Sequence, residues 1–191
     1  MEKTVDDLND TQVPFDDDSM FANTYSFVGL PFSRDTNDNS IDAVVMGIPY
    51  DLGTTGRSGT RSGPAGIRQA SSNLRWEEQR WPWTFALPDR LRAVDYGDVQ
   101  FMCGESEDML TQVEAHASRI VAAGKTLVSL GGDHFVTLPL LRAHAKTHGK
   151  LSLIHFDAHT DTYEEEQRYN HGSMFFHAPR EGLIDPARSI Q

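Results

Sequence analysis

The sequence predicts an α/β chain in three layers, a mainly parallel sheet with helices on both faces. Three observations carry that prediction. Short apolar runs rich in Val, Ile and Leu recur at 43–48, 91–94, 126–130 and 151–156. Two longer segments between them, 105–123 and 137–148, carry apolar residues at helical spacing. Strands alternating with helices build parallel sheets, because each crossover lays a helix on a face.

The first run, Ala43-Val44-Val45-Met46-Gly47-Ile48, is continuously apolar and is ended by Pro49. Such a run marks a strand buried on both faces. A glycine-rich loop spans 53–63, and Gly63-Pro64 then opens a helix. Pro64 falls in the first turn, where its missing N–H costs nothing. The second run leads into Asp95-Tyr96-Gly97-Asp98. In the helix at 105–123, acidic residues crowd the first turn, and Met109, Leu110, Val113, Ala117, Ile120 and Val121 form the apolar stripe. Gly124 closes it. The third strand precedes a helix with Leu138, Leu140, Leu141 and Ala145, closed by Gly149. The fourth strand follows. Residues 1–40 are rich in Asp, Asn and Ser and read as a polar arm ahead of an α/β domain at 41–191. The run Asp16-Asp17-Asp18 lies in that unpatterned arm and reads as solvated. Phe21, Phe27 and Phe32 are expected to pack part of it.

Composition narrows the function. A chain of 191 residues fits one compact domain. A net charge of -11 argues against a nucleic-acid partner, which needs a basic surface. It argues equally against anionic lipid, and it suits a cationic small molecule through steering. The single cysteine, Cys103, leaves no disulfide within the chain. No apolar run reaches the length of a membrane span, and residues 1–18 lack a secretion pattern, so the expected compartment is the cytoplasm.

In a parallel sheet, ligands bind beyond the carboxyl ends of the strands. That rule points to Gly131-Gly132-Asp133-His134 and to Asp157-Ala158-His159-Thr160-Asp161. Asp157, His159 and Asp161 fall at i, i+2 and i+4. In extended chain these share a face, so three metal-capable side chains project together. His134 ends the preceding strand, which is expected to lie alongside. Carboxylate and imidazole without thiolate suit manganese, iron or zinc, and not a structural zinc site. His155 falls on the same face but deeper, and reads as a packed or supporting histidine. His116, His144 and His148 fall on helices and read as surface residues.

Leu130-Gly131-Gly132-Asp133-His134-Phe135-Val136-Thr137-Leu138-Pro139 resembles the first signature of the arginase/agmatinase ureohydrolases, and Leu153-Ile154-His155-Phe156-Asp157-Ala158-His159-Thr160-Asp161 the second. The likeness runs from about Ile41 to Gln191, with Gly56-Arg57 to Ala70-Ser71, Asn73-Leu74 and Trp81-Pro82-Trp83 on the agmatinase side of the family. It implies an arginase/deacetylase-like fold and two Mn²⁺ per complete active site. His134, Asp157 and Asp161 would bind one ion. Asp157 and His159 would bind the other, with Asp157 shared. His171, in Asn170-His171-Gly172-Ser173-Met174-Phe175, matches the family's catalytic histidine and would deliver a proton to the leaving amine. The implied reaction is hydrolysis of agmatine to putrescine and urea, in an assembly of identical subunits. The segment Thr162-Tyr163-Glu164-Glu165-Glu166 does not match the arginase pattern that recognises an α-carboxylate, and its acidity favours agmatine. The family's third signature, a strand ending in Asp-x-Asp, has no counterpart after Asp161. The expected domain is therefore partial, incomplete at its C-terminal side, with four of the family's six ligands. A ureohydrolase for another guanidino substrate, such as guanidinobutyrate, and an inactive remnant are the alternatives.

Overall fold

The computed structural model describes residues 24–76, 79, 81–86, 90–164 and 169–191. Asp16-Asp17-Asp18, Phe21, Glu165 and Glu166 lie outside the described residues. Three strands, β1 (Ala43–Ile48), β2 (Ala93–Asp98) and β3 (Thr126–Gly131), form a sheet of order β2-β1-β3. Both pairings are parallel, with Ala43 opposite Ala93 on one side and Thr126 on the other. The mainly parallel α/β class is the one expected. β1 is the central strand, which is why it is apolar at nearly every position and buried from Val44 onward.

Among the described residues four α-helices accompany the sheet: α1 (Gly63–Ser71), α2 (Ser106–Ala122), α3 (Thr137–His148) and α4 (Met174–Arg180). The two faces are told apart along β1. A Cβ on Gly47 would lie 1.8 Å from Asp98 Oδ1 and 3.0 Å from the Arg68 guanidinium, so α1 covers that face. By alternation Val44, Met46 and Ile48 point the other way. There they join Met109, Val113, Ile120 and Leu138 of α2 and α3 in the buried core. Gly124 and Gly149 end α2 and α3 with φ of +74° and +75°, a backbone region that glycine enters without penalty.

The fourth expected strand requires a correction. Residues 151–156 are extended but do not join the sheet. They make isolated parallel bridges, Leu151 to Ile184 and Ile154 to Ile190. The ladder donors run from Leu151 N to Leu183 O, Asp185 N to Leu151 O, His155 N to Ile190 O and Ile190 N to Leu153 O. The hydrogen-bonding capacity of this segment is therefore spent on 183–190, not on β3. Among the described residues β3 pairs only with β1.

The outer edge of β2 is covered by residues 31–34. Asp95 N donates to Pro31 O, and Ser33 N donates to Asp95 O. Phe32 itself stays 49% exposed, so backbone pairing rather than ring burial holds this stretch. Asp95 is fully buried and accepts from Arg68 Nε at 2.8 Å, Arg68 Nη2 at 2.9 Å, Phe27 N at 2.8 Å and Gly97 N at 2.9 Å. A buried carboxylate is tolerable only with its lone pairs filled in this way. No described helix is long and apolar enough to cross a membrane.

Candidate functional site

The carboxyl end of β3 delivers the first ligand candidate. Beyond Gly131 the chain stays on β1: Gly132 N donates to Ile48 O and Asp133 N to Tyr50 O. The approach is close enough that a Cβ on Gly132 would lie 1.9 Å from Tyr50 O, so only glycine fits there. Asp133 then turns its carboxylate inward, accepting from Gly53 N at 2.8 Å and Phe135 N at 2.9 Å. Burial pushes its carboxyl above the ordinary value despite those two donors. His134 opens a short 3-10 turn, His134–Val136, and faces the second signature.

His134 Nδ1 lies 2.7 Å from Asp161 Oδ2 and 3.5 Å from Asp157 Oδ2. His155 Nε2 lies 3.6 Å from Asp157 Oδ2. One ligand atom from each of His134, His155, Asp157 and Asp161 lies within 4.8 Å of the others, a separation that a shared cation would span. His155 is buried and its Nε2 has no hydrogen-bond partner among the described residues, while its Nδ1 lies 3.1 Å from Gln191 Nε2. The Phe175 ring walls the cluster, 4.7 Å from the His155 ring and 5.8 Å from that of His134. A cleft of about 370 Å³ opens onto it, lined by Ser129, His134, Leu140, Phe156 and Asp157 among others.

The extended geometry expected for 157–161 is not what forms. His159 N donates to Asp157 Oδ1 at 2.9 Å, a turn closed by the aspartate side chain. Asp161 then takes a positive φ of +51°, uncommon outside glycine and better tolerated by aspartate. The chain therefore bends, and strict alternation fails. Asp157 and Asp161 still converge. The His159 ring lies at the rim, 68% exposed, with Nδ1 3.5 Å from Asp157 Oδ1 and outside the group of four. His155 completes the group of four from the deeper side. Asp157 is held below the usual carboxylate range, first by the His159 backbone N–H and then by the surrounding imidazoles.

His171 arrives from a different direction. Its backbone N donates to Gly53 O at 3.0 Å, and Gly172 O accepts from Tyr163 N. Its Nε2 lies 3.0 Å from Thr55 Oγ1. The glycine-rich loop that leads into α1 is thus the support of His171. Asp51 anchors the far side of this loop, accepting from Gly59 N at 2.8 Å and from the Arg61 guanidinium. His116 is not a plain surface residue, since its Nδ1 lies 2.8 Å from the Tyr96 hydroxyl.

The Asp51 anchor gives a pH prediction. The Arg61 side chain, with help from the Gly59 amide, lowers the Asp51 carboxyl from its ordinary value of 3.8 to about 2. A group depressed on folding contributes stability above its unfolded value and loses it as pH falls through the folded one. The contribution is therefore complete above 3.8 and disappears on approach to about 2. The Gly59 amide resonance is expected to titrate with a midpoint near the lower value, and Asp51→Asn is expected to abolish that transition. A midpoint at the ordinary value would show that the anchor does not form.

Comparison with known proteins matches residues 41–191 to the model of the arginase family. The chain is 54% identical over 175 residues to an agmatinase of Edwardsiella ictaluri, covering 92% of this chain and 58% of that protein. An agmatinase of Serratia proteamaculans is also 54% identical, with 92% and 57% covered. Among solved structures, a hypothetical agmatinase from Burkholderia thailandensis superposes with a TM-score of 0.83 at 43% identity, over 91% of this chain and 54% of that one. Proclavaminate amidino hydrolase from Streptomyces clavuligerus follows at 0.79 and 35%, over 90% and 56%. The chain thus spans somewhat over half the length of these relatives.

Proposed function

The chain belongs to the arginase family, and we propose that its site is that of an agmatinase-type ureohydrolase, cleaving agmatine to urea and putrescine for polyamine synthesis. The observation that carries this reading is the convergence of His134, Asp157 and Asp161 at the carboxyl end of the sheet, in a chain 54% identical to agmatinases. The donor set fits a hard or borderline divalent ion: imidazole and carboxylate, no thiolate, and one buried imidazole nitrogen left without a partner. In this reading the ions are Mn²⁺. His134 and Asp161 would hold one, His159 the other, and Asp157 both. Bound there, the pair supplies Lewis acidity and a water acidic enough to attack a guanidinium carbon at neutral pH.

The remaining work falls to this chain's own residues. Asp157 and Asp161 offset the cations' charge. His171 gives a proton to the departing amine nitrogen, which cannot leave as an anion. The acidic run Glu164-Glu165-Glu166, whose first residue is exposed, favours a substrate with a free cationic end and no carboxylate. The likeness to an amidino hydrolase of a different substrate keeps other guanidino compounds as a second reading.

Urea release decides between them. Supplied with Mn²⁺, the active protein is expected to release urea from agmatine in preference to 4-guanidinobutyrate and arginine. Preference for 4-guanidinobutyrate would assign the second reading, and urea from none of the three would overturn both.

A further inference from the structure

We propose that Thr55 is the positioning residue of His171, its hydroxyl holding the imidazole at Nε2 so that the ring keeps one orientation and Nδ1 is left as the nitrogen that exchanges the proton. The proposal rests on the reading of His171 as the proton donor. It follows from how little freedom the rest of the structure leaves that residue. The backbone of His171 is fixed on one side by its N–H on Gly53 O and on the other by Gly172 O on Tyr163 N. Gly172 N is in turn held by Asn170 Oδ1 at 2.8 Å. A Cβ on Gly172 would meet the Tyr163 ring at 2.8 Å, so glycine lets the chain pass close against that ring. What remains is rotation of the side chain, and Thr55 Oγ1 at 3.0 Å is the hydrogen-bond contact that restrains it.

Thr55 is itself well placed to act as a fixed point. The loop that carries it is fastened on both sides. On one side Gly53 N is gripped by the buried Asp133 carboxylate, and a Cβ on Gly53 would come within 3.1 Å of that carboxylate. On the other side Gly59 N and Arg61 are gripped by Asp51. The adjacent Thr54 hydroxyl caps Asp51 O at 2.9 Å. Thr55 alone of this pair turns towards His171. A hydroxyl suits the task because it accepts from the Nε2–H, which the imidazolium and the neutral ring that has released its Nδ1 proton both carry. The same contact can therefore persist on both sides of a proton transfer at Nδ1, and the ring need not swing between steps. Orientation of this kind matters because small misplacements of a catalytic group are costly.

Thr55 is exposed, so its replacement does not threaten the core. The test compares the wild-type chain with Thr55→Val, which keeps the shape and removes the hydroxyl, and Thr55→Ser, which restores it. Ring order is read from ¹³C relaxation at Cε1 and Cδ2 of each histidine. His148, exposed on α3, is the mobile reference, and His144, whose Nδ1 lies 2.8 Å from Leu140 O, is the held one. In the wild type the His171 ring is expected to match His144. In Thr55→Val it falls to the level of His148, and in Thr55→Ser it returns. In the active protein the same series lowers kcat by about tenfold in Thr55→Val, with KM unchanged and recovery in Thr55→Ser. A His171 ring as mobile as His148 in the wild type, or unchanged by Thr55→Val, overturns the proposal. Ring order is read without turnover, so an absence of urea release would count against the proposed reaction and not against this contact.

Discussion

Replacing His171 by alanine is expected to lower turnover of the guanidino substrate by about 10²–10⁴-fold, the usual worth of a positioned general acid. The metal content is expected to stay as it was. His171 is separated from the cluster in both sequence and support: it hangs from Gly53 and Thr55, whereas His134, Asp157 and Asp161 meet one another directly. Its removal therefore leaves every ligand atom in place. Substrate affinity is expected to change far less than kcat, because the role concerns the departing amine and not the ground state. Exogenous imidazole is expected to restore part of the rate by entering the space vacated beside Thr55. Steady-state kinetics and elemental analysis on the same sample check all of this. Near-normal turnover would remove the proton-transfer role, and lost manganese would make His171 a ligand or a support of one. The comparison with Thr55→Val is informative, because the two variants interrupt the same function at different strengths. On the proposed reading alanine deletes the acid and valine only unfastens it, so the larger loss is expected for His171→Ala.

The parts of this molecule that could be read in the sequence are those governed by local physics. β1 declares itself because a central parallel strand must be apolar on both faces, and Val44 to Ile48 are. α2 and α3 declare themselves through apolar spacing and through the glycines that stop them. α4 does not. It has seven residues, holds Pro179, and buries only Met174, Phe175 and Ala178, too few for a periodicity to show. The run at 151–156 was legible as extended chain but not as to its partner, because pairing depends on which other segment competes for its backbone groups, here 183–190. The same limit applies to the site. The two segments that carry His134 and Asp157 were legible from residue type and from the strand-end rule. The bend at Asp157 and the positive φ at Asp161 were not, since a side chain closing a turn leaves no trace in spacing. Alternation put His155 on the ligand face but could not say that its Nε2 would be buried and unpartnered. The support of His171 by a loop more than a hundred residues earlier is a long-range contact, and nothing local announces it.

Asp157→Ala is expected to weaken Mn²⁺ binding more than Asp161→Ala does. Asp157 sits at the centre of the cluster, with ring nitrogens of His134, His155 and His159 at 3.5, 3.6 and 3.5 Å from its carboxylate. The Asp161 carboxylate meets one, His134 at 2.7 Å. A carboxylate shared between two ions is lost twice over, and the loss also leaves two cations with less negative charge between them. Partners one shell removed from a metal cost about 10–100-fold in affinity when mutated, so roughly 100-fold or more is expected for Asp157→Ala. Asp157 has a second task, since its Oδ1 accepts the His159 N–H and closes the turn. Asp157→Asn separates the two: the amide oxygen can still accept that hydrogen bond, while the charge is gone. If the charge matters most, the asparagine variant binds Mn²⁺ nearly as poorly as the alanine variant. If the turn matters most, asparagine retains most of the affinity. Titration of free Mn²⁺ by electron paramagnetic resonance reads both. Equal losses for Asp157→Ala and Asp161→Ala would refute the sharing of Asp157. The remaining carboxylate would then have to be treated as an equal ligand of a single ion, bound with His134 and the otherwise unpartnered Nε2 of His155.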